Sequence, residues 1–183
     1  MNAARSQRFA LAPLTLAEID AVMTIEVRCY SHPWTRGNFS DSVAAGYFAQ
    51  TLKDDTGELM GYLVAMPGAG EMHLLNITVA PHHQRQGLAQ QMLQVLFNEA
   101  AERAMPKLWL EVRAGNIAAR ALYEKEGFHD VALRRAYYPS TRGLREDAVV
   151  MCRERPQEPQ EPSKTPVSRH VESANREGPH GLV

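Results

Sequence analysis

The chain has 183 residues, with 20 lysines and arginines against 21 aspartates and glutamates and a formal net charge of -1. That length allows one domain with or without a tail, and the charge balance argues against a chain whose main task is to coat nucleic acid or an anionic membrane. At 44% hydrophobic residues a real core is expected; Cys29 and Cys152 form no CxxC pair and read as structural thiols of a reducing compartment.

The first twenty residues carry Arg5 and Arg8 before an apolar stretch broken by Pro13 and followed by Glu18 and Asp20, too short and interrupted for a secretory signal. No apolar run approaches the roughly 18 residues of a membrane span, so a cytoplasmic protein is expected. Phe9–Leu14 alternates weakly, as a short strand would. Thr15-Leu16-Ala17-Glu18 is a capping-box sequence, after which Leu16, Ile19, Val22 and Met23 fall on one helical face. His32-Pro33-Trp34 breaks that helix, and a second, short one is expected from Thr35 to Gly46, with Phe39 and Val43 four apart. Tyr47–Lys53 and Glu58–Met66 flank the turn sequence Asp54-Asp55-Thr56-Gly57 and read as a hairpin. Glu71–Val79 is a third strand, with His73, Leu75, Ile77 and Val79 on one side. A strong helix runs from Leu88 to about Ala104, where Leu88, Met92, Leu96 and Ala100 recur every fourth residue. Lys107–Arg113 is a strand, Asn116 a good N-cap, and Gly127 a helix stop near Glu126. Phe128–Tyr137 and Ala148–Cys152 are the last strands.

This order predicts an α+β chain: a mixed central sheet with helices on both faces, three layers in all. From Arg153 to Val183 the composition changes. Five prolines, ten charges that cancel and no aromatic residue cannot bury enough surface to offset the ordering entropy. Residues 1–152 are therefore read as the domain and 153–183 as a disordered tail.

The chemistry starts at Ile77-Thr78-Val79, an apolar strand end leading into Pro81–Gly87 and a helix start. Free N–H groups at a helix N-terminus suit a pyrophosphate. Gly87 lets such a group approach the backbone, and Gln84, Arg85 and Gln86 add donors, followed by Leu88 and the small Ala89. The plainer alternative is that Gly87 only turns the chain into its helix. On Lys107–Arg113, alternation puts Trp109, Glu111 and Arg113 on one face. Glu111 there is either a shielded general base or a surface carboxylate offset by Arg113. Tyr123, on the following helix, is either a proton donor or a packing aromatic.

The run QRQGLA after an apolar strand, then LWLEVRAGN, ALYE and EGF, resembles the GNAT N-acetyltransferases. Within them the resemblance is to the RimI-type ribosomal-protein alanine N-acetyltransferases, supported further by HPWT, by Arg134-Arg135-x-Tyr137-Tyr138-Pro139 and by Arg145-Glu146-Asp147-Ala148. It spans roughly Phe9 to Cys152. It implies the GNAT fold, a sheet of about seven strands with about four helices, and acetyl-CoA as cosubstrate. It implies that Glu111 is the base and Tyr123 the acid that protonates the departing thiolate. Ile77, Thr78 and Val79 would hold the pantetheine arm, Gln84 to Ala89 the pyrophosphate, and Asn116 would contact CoA besides capping its helix. Tyr137 and Tyr138 would cover the acceptor peptide, with Trp34 on the opposite wall. Ala89 stands where a glycine is commoner in this family.

The implied partner is the N-terminal alanine of a ribosomal small-subunit protein (protein eighteen), met by a monomer with no direct nucleic-acid or membrane contact. No metal is expected, since adjacent His82 and His83 cannot both face one way on a helix or strand and no HExxH or CxxC spacing occurs. Arg134, Arg135 and Arg142 read as solvated surface. Two alternatives remain: the same fold acting on a lysine side chain or small amine, and a non-catalytic CoA-binding module. The joint presence of Glu111, Tyr123 and Gly87 favours the enzyme.

Overall fold

The computed structural model describes residues 9–140 and 144–155. Seven strands and four helices follow one another as β1 (Phe9–Pro13), α1 (Ile19–Cys29), α2 (Arg36–Ala44), β2 (Phe48–Asp54), β3 (Leu59–Gly68), β4 (Glu71–Val79), α3 (Leu88–Glu102), β5 (Lys107–Arg113), α4 (Ile117–Lys125), β6 (His129–Pro139) and β7 (Arg145–Glu154). The strands form a single sheet in the order β1-β2-β3-β4-β5-β7-β6. Every neighbouring pair is antiparallel except β4 and β5. A parallel pair needs a crossover, and α3 supplies it.

Local chemistry sets the helix starts. The Thr15 backbone N–H and hydroxyl both donate to the Glu18 carboxylate, at 2.8 and 2.9 Å, opening a short 3-10 turn before α1. That turn takes Leu16 off the apolar stripe of α1, and Leu16 is exposed. Thr35 and Asn38 form a second reciprocal cap at α2, whose buried positions are Phe39 and Ser42 rather than Phe39 and Val43. Asn116 caps α4 by accepting from the Ala119 N–H at 3.2 Å. Gly127 ends α4 at a φ of +88°, where a side chain would be strained.

Two layers cover the sheet. On one face α1 and α2 pack Ile19, Val22, Ile25 and Phe39 against Tyr62 and Val64 of β3. On the other, Leu93 and Leu96 of α3 and Tyr123 of α4 pack against Met72, Leu74, Leu108, Leu110 and Met151. The α1–α2 layer stops short of β5, β7 and β6, so that part of its face stays open.

The domain reaches past Cys152. Arg153 and Glu154 lie in β7, opposite Leu108 and Lys107. Arg153 stacks 4.0 Å from the Phe97 ring and donates to the Glu126 carbonyl at 2.9 Å, while the Arg155 N–H donates to the Pro106 carbonyl at 2.8 Å. A charged residue with a long apolar stem can cap a core edge, which composition cannot reveal. Residues 156–183, and Arg142, lie outside the described residues.

Candidate active site

A defect in β4 builds the site. Val64 of β3 pairs with Asn76 while Ala65 pairs with Leu74, so Leu75 is an extra residue, a β-bulge. The bulge reverses the strand's alternation. Before it, Met72 and Leu74 face α3 and α4 while His73 faces the open side. After it, Asn76 and Thr78 face α1, and Ile77 and Val79 turn to the α3 side. The expectation that His73, Leu75, Ile77 and Val79 share one side therefore fails between His73 and Ile77. Parallel pairing of β4 with β5 ends at Leu74 and Leu110. Past that point the two strands diverge.

A cavity of about 290 Å³ opens in the divergence. Six residues expected from the sequence line it: Trp34, Ile77, Glu111, Asn116, Tyr123 and Tyr138. A second cavity of about 390 Å³ lies on the open face and shares Glu111 and Tyr138 with the first, adding Tyr137, Trp109, His73 and Arg134. Glu111 thus stands where the two meet.

Glu111 and Arg113 share a face of β5, but they do not pair. Arg113 bonds the Glu146 carboxylate and the Pro139 carbonyl, at 3.1 and 3.0 Å, and lies 4.6 Å from the Tyr138 ring centroid. The Glu111 carboxylate instead meets the Arg134 guanidinium at 3.0 Å. The Tyr138 hydroxyl donates to the Glu111 backbone carbonyl at 3.2 Å. Burial, then the Glu111 charge, pushes that phenol up to about 12. Its neighbour Tyr137 is raised chiefly by a hydrogen bond to Glu111. Arg134, read from sequence as solvated surface, is therefore a partner of the central carboxylate: Glu111 stands opposite Val150 of β7 and Arg134 opposite Ala148, so the long arginine side chain reaches across that strand.

Tyr123 is a core residue with one end in the cavity. Its ring lies 5.8 Å from Phe128, nearly edge-on, and burial holds its hydroxyl well above the usual phenol range. It stays protonated at any physiological pH, as a proton donor must.

The loop before α3 holds two residues in the left-handed region. Arg85 and Gly87 take φ of +64° and +80°, alternating the backbone as an anion-binding nest does, and Gly87 leads directly into α3. The loop lies away from the 290 Å³ cavity, further along β4. Gln84 and Gln86 donate to the carbonyls of Val79 and His82, at 3.1 and 3.4 Å, so they brace the loop. Leu88 is buried and Ala89 packs on the same core, leaving their backbone N–H groups as what they offer a ligand. Thr78 turns its hydroxyl to Tyr30, at 2.8 Å.

Sequence reasoning missed a buried carboxylate. Glu26 of α1 is 1% exposed and accepts from the Tyr62 hydroxyl, from the Trp34 N–H at 2.7 Å and from the Asn76 amide at 3.4 Å. Asn76 in turn accepts from Thr78 at 2.9 Å. Burial, then Glu26, raises the Tyr62 phenol; burial raises that of Tyr30 to about 12. The available signal was an acid four residues after Val22, on the stripe α1 buries. This network fixes Trp34 at the cavity wall.

Adjacent His82 and His83 also depart from expectation. They occupy a 3-10 turn, Pro81–His83, not a helix or strand, and their rings lie 4.1 Å apart.

Residues 19–128 match the acetyltransferase (GNAT) family. The chain belongs to that family and is an acetyltransferase. It is 38% identical over 142 residues to the ribosomal protein bS18 alanine N-acetyltransferase of Escherichia coli strain K12, covering 78% of this chain and 95% of that protein. To the enzyme of the same name from Salmonella typhimurium it is 37% identical over 139 residues, 76% of this chain and 93% of that one. The crystal structure of the Escherichia coli ribosomal-protein-S18-alanine N-acetyltransferase superposes with a TM-score of 0.75 at 37% identity, covering 80% of this chain and 94% of that one. Ard1 from Thermoplasma volcanium shares the fold, with a TM-score of 0.72 at 20% identity and coverage of 81% and 99%. Among the described residues, no helix is long and apolar enough to cross a membrane.

Proposed function

We propose that this chain transfers an acetyl group from acetyl-CoA to the α-amine of the N-terminal alanine of ribosomal protein bS18. The observation that carries the reading is the cavity at the β4–β5 divergence, which brings a carboxylate and a protonated phenol to one site. The identity to two enzymes of that specificity supports the choice of acceptor. The enzyme acts as a cytoplasmic monomer that meets the peptide end directly, without contacting nucleic acid or membrane.

An α-amine has an ordinary pKa of about 8, so most of it is protonated at neutrality and must lose a proton to attack. Glu111 takes that proton, after the acceptor ammonium exchanges for the Arg134 guanidinium. The amine nitrogen bonds the thioester carbon, and the C–S bond then breaks. Tyr123 gives its proton to the leaving thiolate, and the second proton of the attacking nitrogen, lost as the amide forms, restores the Tyr123 phenol, while Glu111 releases its proton to water. The nest at Arg85–Gly87 and the start of α3 hold the pyrophosphate, the diverging backbone of Ile77–Val79 holds the pantetheine arm, and Asn116 contacts CoA beside its cap. Tyr137 and Tyr138 cover the acceptor opposite Trp34. The described residues form the catalytic domain, which runs through β7 to Arg155.

Mass analysis after reaction with acetyl-CoA tests this, using a peptide that begins with the alanine of bS18 and a second with a blocked N-terminus and free lysines. Acetylation of the α-amine alone is expected. Modification of lysine ε-amines with none at the α-amine would reject the acceptor assignment, and CoA binding without turnover on either would favour a non-catalytic module.

A further inference from the structure

Outside the catalytic cavity, three metal-ligating side chains converge. Glu58 sits at the end of the turn that joins β2 to β3, and His82 and His83 sit in the turn after β4. His82 Nε2 lies 2.9 Å and His83 Nε2 3.4 Å from the same oxygen, Glu58 Oε1. All three atoms lie within 4.8 Å of one another.

The positions are braced. Asp54 accepts from the N–H groups of Thr56 and Glu58, both at 2.9 Å, and its own N–H donates to the Glu58 carbonyl at 3.0 Å. On the other side the His83 N–H donates to the Ala80 carbonyl, and the Ala80 N–H donates to the Met60 carbonyl, both at 2.8 Å. One backbone hydrogen bond thus ties the two ligand-bearing segments together, two residues from each.

We propose that Glu58, His82 and His83 form a binding site for a divalent transition-metal ion, zinc by preference. Two imidazoles and a carboxylate are a ligand set that zinc accepts with a fourth position open to water. Imidazole selects zinc, nickel or copper over magnesium and calcium. With metal–ligand bonds of about 2.0–2.2 Å, ligand atoms on one tetrahedral ion stand roughly 3.3–3.6 Å apart. The two nitrogen–oxygen separations bracket the lower end of that range, and Glu58 and His82 are exposed enough to adjust. The two imidazole rings lie 4.1 Å apart, and one bound cation would serve both of them and the same carboxylate.

Neither Glu58 nor either histidine lines the cavity that holds Glu111 and Tyr123. The ion would act as a clip that fastens the β2–β3 turn to the loop carrying Arg85 and Gly87, not in the transfer step. Zinc chloride titrated calorimetrically into the full chain, freed of metal by a chelator, tests this. One equivalent is expected to bind and to raise the melting temperature. His82→Ala and Glu58→Gln should each weaken binding about tenfold or more, while His129→Ala, on exposed β6, leaves it unchanged. Cobalt(II) should give a visible absorption band that saturates at one equivalent and is lost in the same variants. Metal-free melts of each variant report that it is folded. No zinc binding by the wild-type chain, or one-equivalent binding unchanged in both His82→Ala and Glu58→Gln, overturns the proposal.

Discussion

Glu111→Gln separates the chemistry of the site from its architecture. The substitution keeps shape and removes charge. The bond from Tyr138 survives, because it ends on the Glu111 backbone carbonyl. What the fold loses is the ion pair with Arg134, whose side chain is 53% exposed against 27% for Glu111. A pair so open to water contributes about 0–1 kcal/mol, a melting-temperature loss of at most roughly 2–4 °C in a chain of this size. Loss of a positioned general base costs about 10²–10⁴-fold in turnover, or about 2.7–5.4 kcal/mol in the barrier. The catalytic effect therefore exceeds the structural one severalfold. The assay is thiol release from acetyl-CoA at saturating alanine peptide, with acetyl-CoA affinity measured separately and expected to hold, since the phosphate loop lies away from Glu111. Turnover near the wild-type rate in a folded variant would refute the assignment. A matched fall in melting temperature and acetyl-CoA affinity would show instead that Glu111 is structural.

Tyr123→Phe should lower turnover about 10²–10⁴-fold with little change in stability, whereas Tyr123→Ala should also destabilise by about 3–5 kcal/mol, because the ring packs on Phe128; urea melts and steady-state rates together check this. Because the folded protein holds the Tyr123 proton more tightly than the free phenol does, this group should cause no loss of turnover as pH rises to about 10. A falling limb below pH 9 that disappears in Tyr123→Phe would contradict that. Gly87→Ala places a side chain at a φ of +80°, a strain of about 1–2 kcal/mol, and should weaken acetyl-CoA binding by roughly 5–30-fold in calorimetry while sparing the peptide KM. Glu26→Ala removes the acceptor of the buried Tyr62 hydroxyl and of the part-buried Trp34 N–H. At about 1–3 kcal/mol for each unsatisfied donor, a total loss of roughly 2–6 kcal/mol should appear in the urea midpoint.

Local features follow from neighbouring residues alone. The caps at Thr15 and Asn116, the 3.6-residue stripe of α3 and the turn at Asp54–Gly57 are set by neighbours within a few positions, and the structure has each of them. The run from Ile77 to Ala89 was legible as a strand, a polar loop and a helix start for the same reason. Tertiary structure decided whatever depends on partners far along the chain. The bulge at Leu75 is a mismatch between β4 and β3, and it alone sends Asn76 and Thr78 towards Glu26. Glu111 meets Arg134 of β6, reached across β7, while Arg113 is held by Glu146 and the Pro139 carbonyl. Arg153 belongs to the domain because Phe97 and Glu126 lie in wait for it across the fold. Side-chain alternation is a rule of unbroken strands, and helical spacing a rule of helices. A bulge, a strand insertion and a 3-10 turn each break the rule at one point, and the functional groups gather at those points.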